Sequence, residues 1–286
     1  MKIGIGLPNA VPGTPGDVLL GWARRAEDAG FSGLATIDRV AYPSYDTLAT
    51  LAAAAGATSR IELVSNILLA PLHSPAMLAK SAASIDQLSG GRLTLGVAVG
   101  GRADDYAAAG RDFGRRGRDF DEGLALMHRA WRGEPVVGDA TVCPPPVRDD
   151  RVPVLIGGTS EAAIRRTVTW GAGWTAGGGG PEMAAPLMAR VRDAWREAGR
   201  DGEPRLAALV YYSLGDEVAA QSRENLRDYY AFLGPYADQI ADSALRTPQA
   251  VRDAVAAFSD IGCTELYFDP TMASLDQVDR LADLVG

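Results

Sequence analysis

The chain has very few of the residues on which several common chemistries depend. It contains two histidines, His73 and His128, and two lysines, Lys2 and Lys80. Because no HxH or HExxH pair occurs, a metal-dependent hydrolase built on a histidine cluster is disfavoured. Neither lysine lies at the carboxyl end of a predicted strand, where a Schiff-base lysine of a barrel enzyme would meet its substrate, so aldolase and pyridoxal chemistry are also disfavoured.

Cysteine, positive charge and long apolar runs are scarce too. Cys143 and Cys263 lie far apart and form no CxxC motif, which predicts free thiols. A formal net charge of -8 without a basic cluster argues against nucleic acid as a partner. No run of about 18 apolar residues predicts a membrane helix, and Met1 leads directly into an apolar strand without a signal-peptide pattern. We therefore expect a cytoplasmic protein that acts on a small molecule and has no membrane partner.

Residues 58–102 contain the clearest structural pattern. Apolar runs at 61–69 and 93–99 predict two strands, and a helix between them begins at Ser74-Pro75 and ends at Ser89-Gly90-Gly91. Strands that read as continuous apolar runs are covered on both faces, which is typical of a parallel sheet. This segment is one βαβ unit.

The same alternation extends along the whole chain of 286 residues, 47% of which are hydrophobic. Strands are predicted at 3–7, 33–37, 61–69, 93–99, 152–156, 173–176, 206–214 and 265–269, with helices between them. Eight βα units predict an α/β fold, a (β/α)8 TIM barrel, as one domain over 1–286. Two segments exceed short loops: 133–151 predicts an extended surface connection, and 216–246 predicts a helical insertion before the last barrel helix.

Candidate functional residues lie where predicted strands end, because barrel enzymes place their chemistry at that face. Asp38 and Arg39 follow the second strand as catalytic candidates or as a rim salt bridge. Ser65 and Asn66 interrupt an apolar strand, so their polar groups need either a ligand or a neighbouring strand. His73, before a helix, is either a third catalytic candidate or a structural loop residue. Tyr229, Tyr230 and Tyr236 in the insertion either face a pocket or pack against the barrel.

Glycines mark further candidate positions. Gly6 in the first strand leaves room either for a flat ligand or for a crowded barrel interior. The segment 157–160, Gly-Gly-Thr-Ser, precedes a predicted helix and presents backbone N–H groups to an anion, which predicts a phosphate site; the alternative is an ordinary helix cap by Ser160. A second glycine-rich turn at 177–180 follows the next strand and favours a phosphorylated cofactor.

These segments together resemble the bacterial luciferase-like superfamily of flavin-dependent oxidoreductases and monooxygenases. The matching motifs are GIGLPN at 4–9, EDAGFSGLATIDR at 27–39, the whole of 58–101, RGRDFDEGLALMHRAWRGEPV at 116–136, VPVLIGGTS at 152–160 and GAGW at 171–174. The resemblance implies a (β/α)8 barrel that binds reduced FMN or coenzyme F420 at the strand ends and acts on a small organic substrate. It also implies a homodimer and a cis peptide bond at Asn66-Ile67.

The patterns and the resemblance give one set of candidate residues. The catalytic candidates are Asp38, Arg39 and His73, and the cofactor-binding candidates are Gly6, Ser65, Asn66, Ile67, Gly100, Gly157, Gly158, Thr159 and Ser160. No metal site is expected. Deazaflavin members of the superfamily commonly have Asp-His where this chain has Asp38-Arg39, so the choice between FMN and F420 stays open. An acidic residue that is catalytic in some relatives has no clear match in this chain near Asp104 and Asp105. The alternative functions are a non-catalytic flavin-binding protein of the same fold and an unrelated barrel hydrolase that uses carboxylates such as Asp38 and Asp269.

Overall fold

Eight parallel strands close into a barrel in chain order, with the first strand paired to the last. The computed structural model describes residues 1–148 and 151–286. The strands are β1 Lys2–Gly6, β2 Gly33–Thr36, β3 Glu62–Leu69, β4 Leu93–Ala98, β5 Val154–Gly157, β6 Gly173–Thr175, β7 Arg205–Tyr212 and β8 Glu265–Pro270. Each predicted strand is present with its ends within two residues of the prediction, and the predicted (β/α)8 barrel is confirmed.

The helices surround the barrel. They are α1 Gly16–Asp28, α2 Thr47–Ala57, α3 Pro75–Ser89, α4 Ala103–Ala108, α5 Arg116–Trp131, α6 Glu161–Trp170, α7 Pro181–Glu197, α8 Ala219–Tyr229, α9 Tyr236–Ser243, α10 Pro248–Asp260 and α11 Asp276–Val285. The predicted insertion is helical, with α8 and α9 between β7 and α10, whereas the short helix α4 was not predicted. In the described residues no helix has the length and apolar character to span a membrane. Cys143 and Cys263 are free thiols, as predicted, and residues 149 and 150 of the predicted surface connection lie outside the described residues.

Strand side chains alternate between two cores. Those that point outward, such as Leu34 and Leu63, pack in the layer between the barrel and its helices. Those that point inward form a small core at the barrel centre, in which Tyr267 is the one aromatic side chain. A Cβ atom at Gly4 would lie 2.3 Å from the Tyr267 ring, so this glycine is required by the crowded interior.

Charged side chains close the end of the barrel where the strands begin. Arg205 Nε donates to Glu265 at 2.5 Å, and its Nη2 lies 2.9 Å from a carboxylate oxygen of Glu62. Burial opposes the charge of Arg205, but the two carboxylates raise its pKa. A cavity of about 550 Å3 at this end is lined in part by this network, in which Arg205 is paired with both carboxylates.

Glu27, near the end of α1, fixes the chain segment that leads into β3. Its carboxylate accepts hydrogen bonds from the backbone N–H groups of Ser59, Arg60 and Ile61. Partial burial opposes the charge, but these three donors together lower the pKa of Glu27 from 4.5 to about 2. The carboxylate therefore stabilises the fold above about pH 4.5, and this contribution is lost as the pH falls towards 2.

We expect Glu27→Gln to lower the free energy of unfolding by about 1 kcal/mol at pH 7, because charge-assisted bonds are replaced by weaker ones at a partly exposed site. The difference from wild type should shrink as the pH falls below 4.5. Denaturant unfolding at pH 7 and pH 3 measures both effects, with exposed Glu197→Gln as the control. A difference that is equal at both pH values would contradict the role of the charge.

Candidate functional site

The carboxyl ends of the strands surround a cleft with two connected lobes. The first lobe has a volume of about 170 Å3 and is lined by Ile37, Asp38, Arg39, Asn66, Leu69, Arg102, Asp105, Leu209, Tyr211, Tyr229 and Tyr230. The second lobe, of about 380 Å3, is lined mainly by Ala98, Val99, Gly157, Gly158, Thr159, Trp174, Ala176, Gly179, Gly180, Met183, Ala184 and Leu187. Both lobes share Ile67, Gly100, Gly101, Gly177 and Gly178. A cleft at this end of a (β/α)8 barrel is the expected position of an active site.

Asn66 and Ile67, both in β3, line the cleft. The peptide bond between them is cis, as predicted. Asn66 Oδ1 accepts a hydrogen bond from Thr175 Oγ at 2.7 Å, across the barrel. Its buried Nδ2 has no partner among the described residues, so the cleft has a free amide donor in its wall.

Ser65 and Gly6 do not line the cleft, although both were predicted to bind the cofactor. Ser65 Oγ donates to the carbonyl oxygen of Gly96 at 2.8 Å, so the neighbouring strand satisfies this hydroxyl. A Cβ at Gly6 would lie 2.2 Å from Asp269 Oδ1. For both residues the structure supports the structural alternative, because each meets a barrel neighbour and not the cleft.

Asp38 lies in the first lobe and is not paired with Arg39. One of its carboxylate oxygens accepts the Leu69 N–H at 2.9 Å. Burial raises the pKa of Asp38, while the Leu69 N–H and the charge of His73 act in the opposite direction. Asp38 is thus a partly desolvated carboxyl next to a ligand-sized space, which is typical of a group that exchanges a proton.

Arg39 forms ion pairs with Asp104 and Asp105, whereas the alternative drawn from the sequence was a rim salt bridge with Asp38. Its Nη2 lies 3.0 Å from Asp104, and its Nε lies 3.1 Å from Asp105. The fully buried carboxylate of Asp105 also accepts the N–H groups of Val40 and Ala41. Through these contacts, Asp105 holds Arg39 and the loop after β2 in place.

His73 is not part of the cleft wall. It lines a separate groove of about 410 Å3 beside α5, together with Pro75, Arg111 and Phe120. Its Nε2 is buried without a hydrogen-bond partner among the described residues. The structure therefore brings His73 close enough to influence Asp38 electrostatically but not to contact a ligand in either lobe.

Aromatic side chains form the wall of the first lobe opposite Asn66. The hydroxyl oxygens of Tyr211, on β7, and Tyr230, after α8, are 2.6 Å apart. Burial raises the pKa of Tyr230 to about 12 and raises that of Tyr211 well above its usual range, so both phenols keep their protons near neutral pH. Arg102 lies over Tyr229, with 4.5 Å from guanidinium carbon to ring centre. Tyr236 is exposed and does not line the cleft.

The second lobe ends at the amino terminus of α6. Gly157, Gly158 and Thr159 line it, and the backbone N–H groups at the start of a helix favour an anion. Ser160 is the N-cap of α6, since its Oγ accepts the Ala163 N–H. The predicted phosphate loop is therefore at the cleft, while Ser160 has the capping role that was its alternative.

Several lining residues were not predicted from the sequence. Arg102 and Asp105 lie in α4 or at its start, Tyr211 lies inside an apolar strand, and Met183 and Leu187 lie on α7. Tyr211 had one usable signal, because it falls on the inward-facing side of β7, two residues beyond Leu209. No sequence signal indicated the contacts of Asp105, because its partners lie 64 to 66 residues earlier in the chain.

Comparisons with known proteins agree with this fold. The family model described as luciferase-like monooxygenase matches residues 1–264. An uncharacterized protein of Mycobacterium tuberculosis (strain ATCC 25618 / H37Rv) is 29% identical over 208 residues, which cover 62% of this chain and 71% of that protein.

Two solved structures share the architecture at low identity. An F420-dependent secondary alcohol dehydrogenase in complex with an F420-acetone adduct has a TM-score of 0.81 at 19% identity, covering 99% of this chain and 98% of that chain. The oxygenating constituent of 3,6-diketocamphane monooxygenase, from a plasmid of Pseudomonas putida and in complex with FMN, has a TM-score of 0.73 at 16% identity, covering 100% and 98%. At these identities the likeness shows the fold alone.

Proposed function

The chain belongs to the luciferase-like monooxygenase family, and from that premise we propose that it is an oxidoreductase that holds reduced FMN or coenzyme F420 in the two-lobed cleft. Its substrate is a small organic molecule, to which a hydride is transferred or for which dioxygen is activated. One observation carries the proposal: a continuous, glycine-lined cleft whose first lobe contains the unpartnered amide donor of Asn66. The solved structures of the same fold that contain F420 or FMN support this choice of cofactor class.

The residues of the first lobe fit a flat heterocycle. Ile67, which both lobes share, provides an apolar surface for such a ring. Asn66 Nδ2 is a donor for a carbonyl or ring nitrogen of such a heterocycle. A buried amide without a partner costs free energy, so a ligand that accepts its hydrogen bond is stabilised there.

The residues of the second lobe fit a phosphorylated side chain. Gly157, Gly158 and Thr159 lie at the positive end of α6 and would bind the phosphate. Met183 and Leu187 of α7 supply apolar contacts beside this loop. The lobe thus combines an anion site with an apolar wall, as a ribityl phosphate or its deazaflavin counterpart requires.

When bound, the cofactor supplies the electrons, and the protein supplies position and proton control. Asp38, whose pKa is raised by burial, holds or releases a proton at its carboxyl group beside the first lobe. Tyr230 and Tyr211 present protonated phenols on the opposite wall. Arg39 and Arg102, both held by the backbone carbonyl of Tyr229, close the rim and exclude water.

We expect Tyr230→Phe to lower turnover about tenfold, because the first lobe loses one proton donor while the aromatic wall remains. Cofactor affinity should change less than threefold, about 0.6 kcal/mol. Steady-state rates and a cofactor titration on the same variant measure both quantities, with the exposed Tyr236→Phe as the matched control. Unchanged turnover would leave Tyr230 as part of the wall only.

A paired titration tests the proposed function. The purified chain is titrated with FMN and with F420, each in oxidised and reduced form, and binding is followed by fluorescence. Oxidation of the bound, reduced cofactor is then measured with and without candidate alcohols, ketones and aldehydes, aerobically and anaerobically. Acceleration by a substrate supports an enzyme, and its dependence on dioxygen distinguishes a monooxygenase from a hydride-transfer enzyme.

Two results would contradict the proposal. If neither cofactor binds, the cleft has another ligand. If one binds tightly but no substrate accelerates its oxidation, the alternative of a non-catalytic flavin-binding protein is favoured. The proposed homodimer is tested separately, by light scattering on the eluting protein with and without cofactor.

A further inference from the structure

A second cavity, which we call the basic cavity, lies on the outside of the barrel. It has a volume of about 470 Å3 and is lined by His128, Arg132, Arg151, Thr169, Trp170, Arg200 and Asp201. The carboxyl ends of α5 and α6 form two of its walls, and Arg151 lies just before β5. Because barrel helices run antiparallel to their strands, this is the face opposite the cleft.

The lining residues give the basic cavity a positive charge. Three guanidinium groups face one carboxylate, that of Asp201, among the described lining residues. Arg200 is fixed by donating to the carbonyl oxygens of Val168 and Gly171. Arg132 is paired with Glu134 at 2.6 Å, and this carboxylate, which is outside the lining, offsets one of the three positive charges. Burial, followed by the charge of Arg151, lowers the pKa of Arg200, while the carboxylate of Asp201 acts in the opposite direction.

His128 lines the basic cavity and has an unsatisfied ring nitrogen. Its imidazole is buried and stacks on Trp170, with 5.0 Å between ring centres. Its Nε2 has no hydrogen-bond partner among the described residues. Burial, followed by the charges of Arg132 and Arg151, lowers the pKa of His128 to about 4, so the imidazole is neutral at pH 7 and carries one N–H donor.

Helix capping explains only part of this arrangement. A cation near the carboxyl end of a helix is stabilised by the helix dipole, and the contacts of Arg200 with the end of α6 are of that kind. Arg132 follows His128 by four residues at the end of α5, so helix geometry places these two together. Neither capping nor helix geometry explains why Arg151, from the segment before β5, lines the same cavity. Convergent guanidinium groups with a neutral donor are the usual surroundings of a phosphate group.

We propose that the basic cavity binds a small organic phosphate monoester, with its phosphate between Arg132, Arg151 and His128. A volume of about 470 Å3 lies in the range of pockets for small organic molecules and exceeds what an inorganic ion fills. The partly exposed side chain of Trp170 is available to the organic part of the ligand. This site is independent of the cofactor proposed for the cleft.

Calorimetric titration of the full chain tests the proposal. The probes are adenosine 5′-monophosphate, ribose 5-phosphate, inorganic phosphate and adenosine. We expect both monoesters to bind, adenosine not to bind, and Arg132→Gln and Arg151→Gln each to weaken the monoesters at least about tenfold. Arg118→Gln is the matched control, since Arg118 lies on the exposed face of α5 and pairs with Glu122.

Three outcomes would overturn the proposal. The first is no binding of either monoester, and the second is binding that both arginine variants leave unchanged while their melting curves match wild type. The third is that inorganic phosphate binds as tightly as the monoesters, which would leave no role for the organic part of the ligand. The proposed phosphate loop of the cleft is a second place where a phosphate probe can bind, so the titration is repeated on Gly177→Leu, which places a side chain in the cleft. Unchanged affinity supports the basic cavity. Lost affinity assigns the probe to the cleft and also overturns the proposal.

Discussion

Asp38→Asn is expected to lower turnover about 100-fold or more, with cofactor affinity close to that of wild type. Asparagine keeps the shape of the side chain, and its carbonyl oxygen can still accept the Leu69 N–H. What is lost is the proton that the carboxyl group exchanges in the first lobe. A loss of this size is usual for a positioned acid or base.

The same substitution separates catalysis from stability. Burial raises the pKa of Asp38 in the folded state above its usual 3.8, so the folded protein binds this proton more tightly than the unfolded chain. The contribution of Asp38 to stability is therefore present at low pH and declines as the pH rises through the folded-state pKa. We expect Asp38→Asn to be as stable as wild type or more stable at pH 7, and this gain to disappear at acidic pH.

Rates, cofactor titration and thermal melts on one preparation measure these effects. Asp104→Asn is the matched control, because Asp104 is a half-exposed partner of Arg39 at the rim, and its loss should cost at most about 1 kcal/mol and little turnover. Unchanged turnover in Asp38→Asn would show that Asp38 takes no part in proton transfer. A loss of stability at pH 7 in Asp38→Asn would show that the hydrogen bond from the Leu69 N–H to the Asp38 carboxylate contributes more to stability than burial of this carboxylate costs.

The sequence predicted the barrel because its signals are local. The apolar run before Asn66, the helix start at Pro75 and the glycines after Ser89 each act within a few residues, and these elements formed where they were expected. The polar interruption at Asn66 was also informative, since its amide lies at the cleft. Periodicity and capping were enough to place the strand ends, and with them the face that holds the site.

The partners of the site residues could not be predicted, because they depend on which loops meet in space. Nothing near Arg39 in the sequence indicates Asp105, and the adjacent Asp38 was the obvious but incorrect ion-pair partner. Ser65 and Asn66 look equivalent in sequence, yet strand alternation turns one towards β4 and the other towards the cleft. His73 was grouped with the site by its position after β3, but the turn after this strand directs it towards α5.

Gly158 illustrates how backbone conformation limits a test designed from sequence. The position of Gly158 in the predicted phosphate loop, taken from the sequence alone, predicts that a bulky residue there blocks the loop with little loss of stability. Gly158 has a φ of 117°, a conformation that side chains other than glycine rarely adopt. Gly158→Val therefore strains the fold by about 1–3 kcal/mol as well as the site, and a loss of cofactor binding in this variant would have two explanations.

Gly177→Leu avoids this ambiguity, and we expect it to weaken cofactor binding about 100-fold or more. Gly177 lines both lobes, a Cβ there has no heavy atom within 4 Å, and its φ is not positive. A leucine side chain therefore occupies cleft space without displacing the protein. Forcing a ligand against such a side chain costs about 1–3 kcal/mol or more, and 100-fold corresponds to about 2.7 kcal/mol.

Fluorescence titration with FMN and F420 measures this loss, and thermal unfolding checks the fold. Gly56→Leu is the matched control, because Gly56 is on the outer ring with equally open space at its Cβ position; it should leave the affinity unchanged. Gly101→Leu repeats the test from the opposite loop, since Gly101 also lines both lobes and is open. If both cleft variants remain folded and bind the cofactor as tightly as wild type, the cofactor lies elsewhere. A ligand that spans the two lobes cannot avoid both of the side chains that enter the part the lobes share.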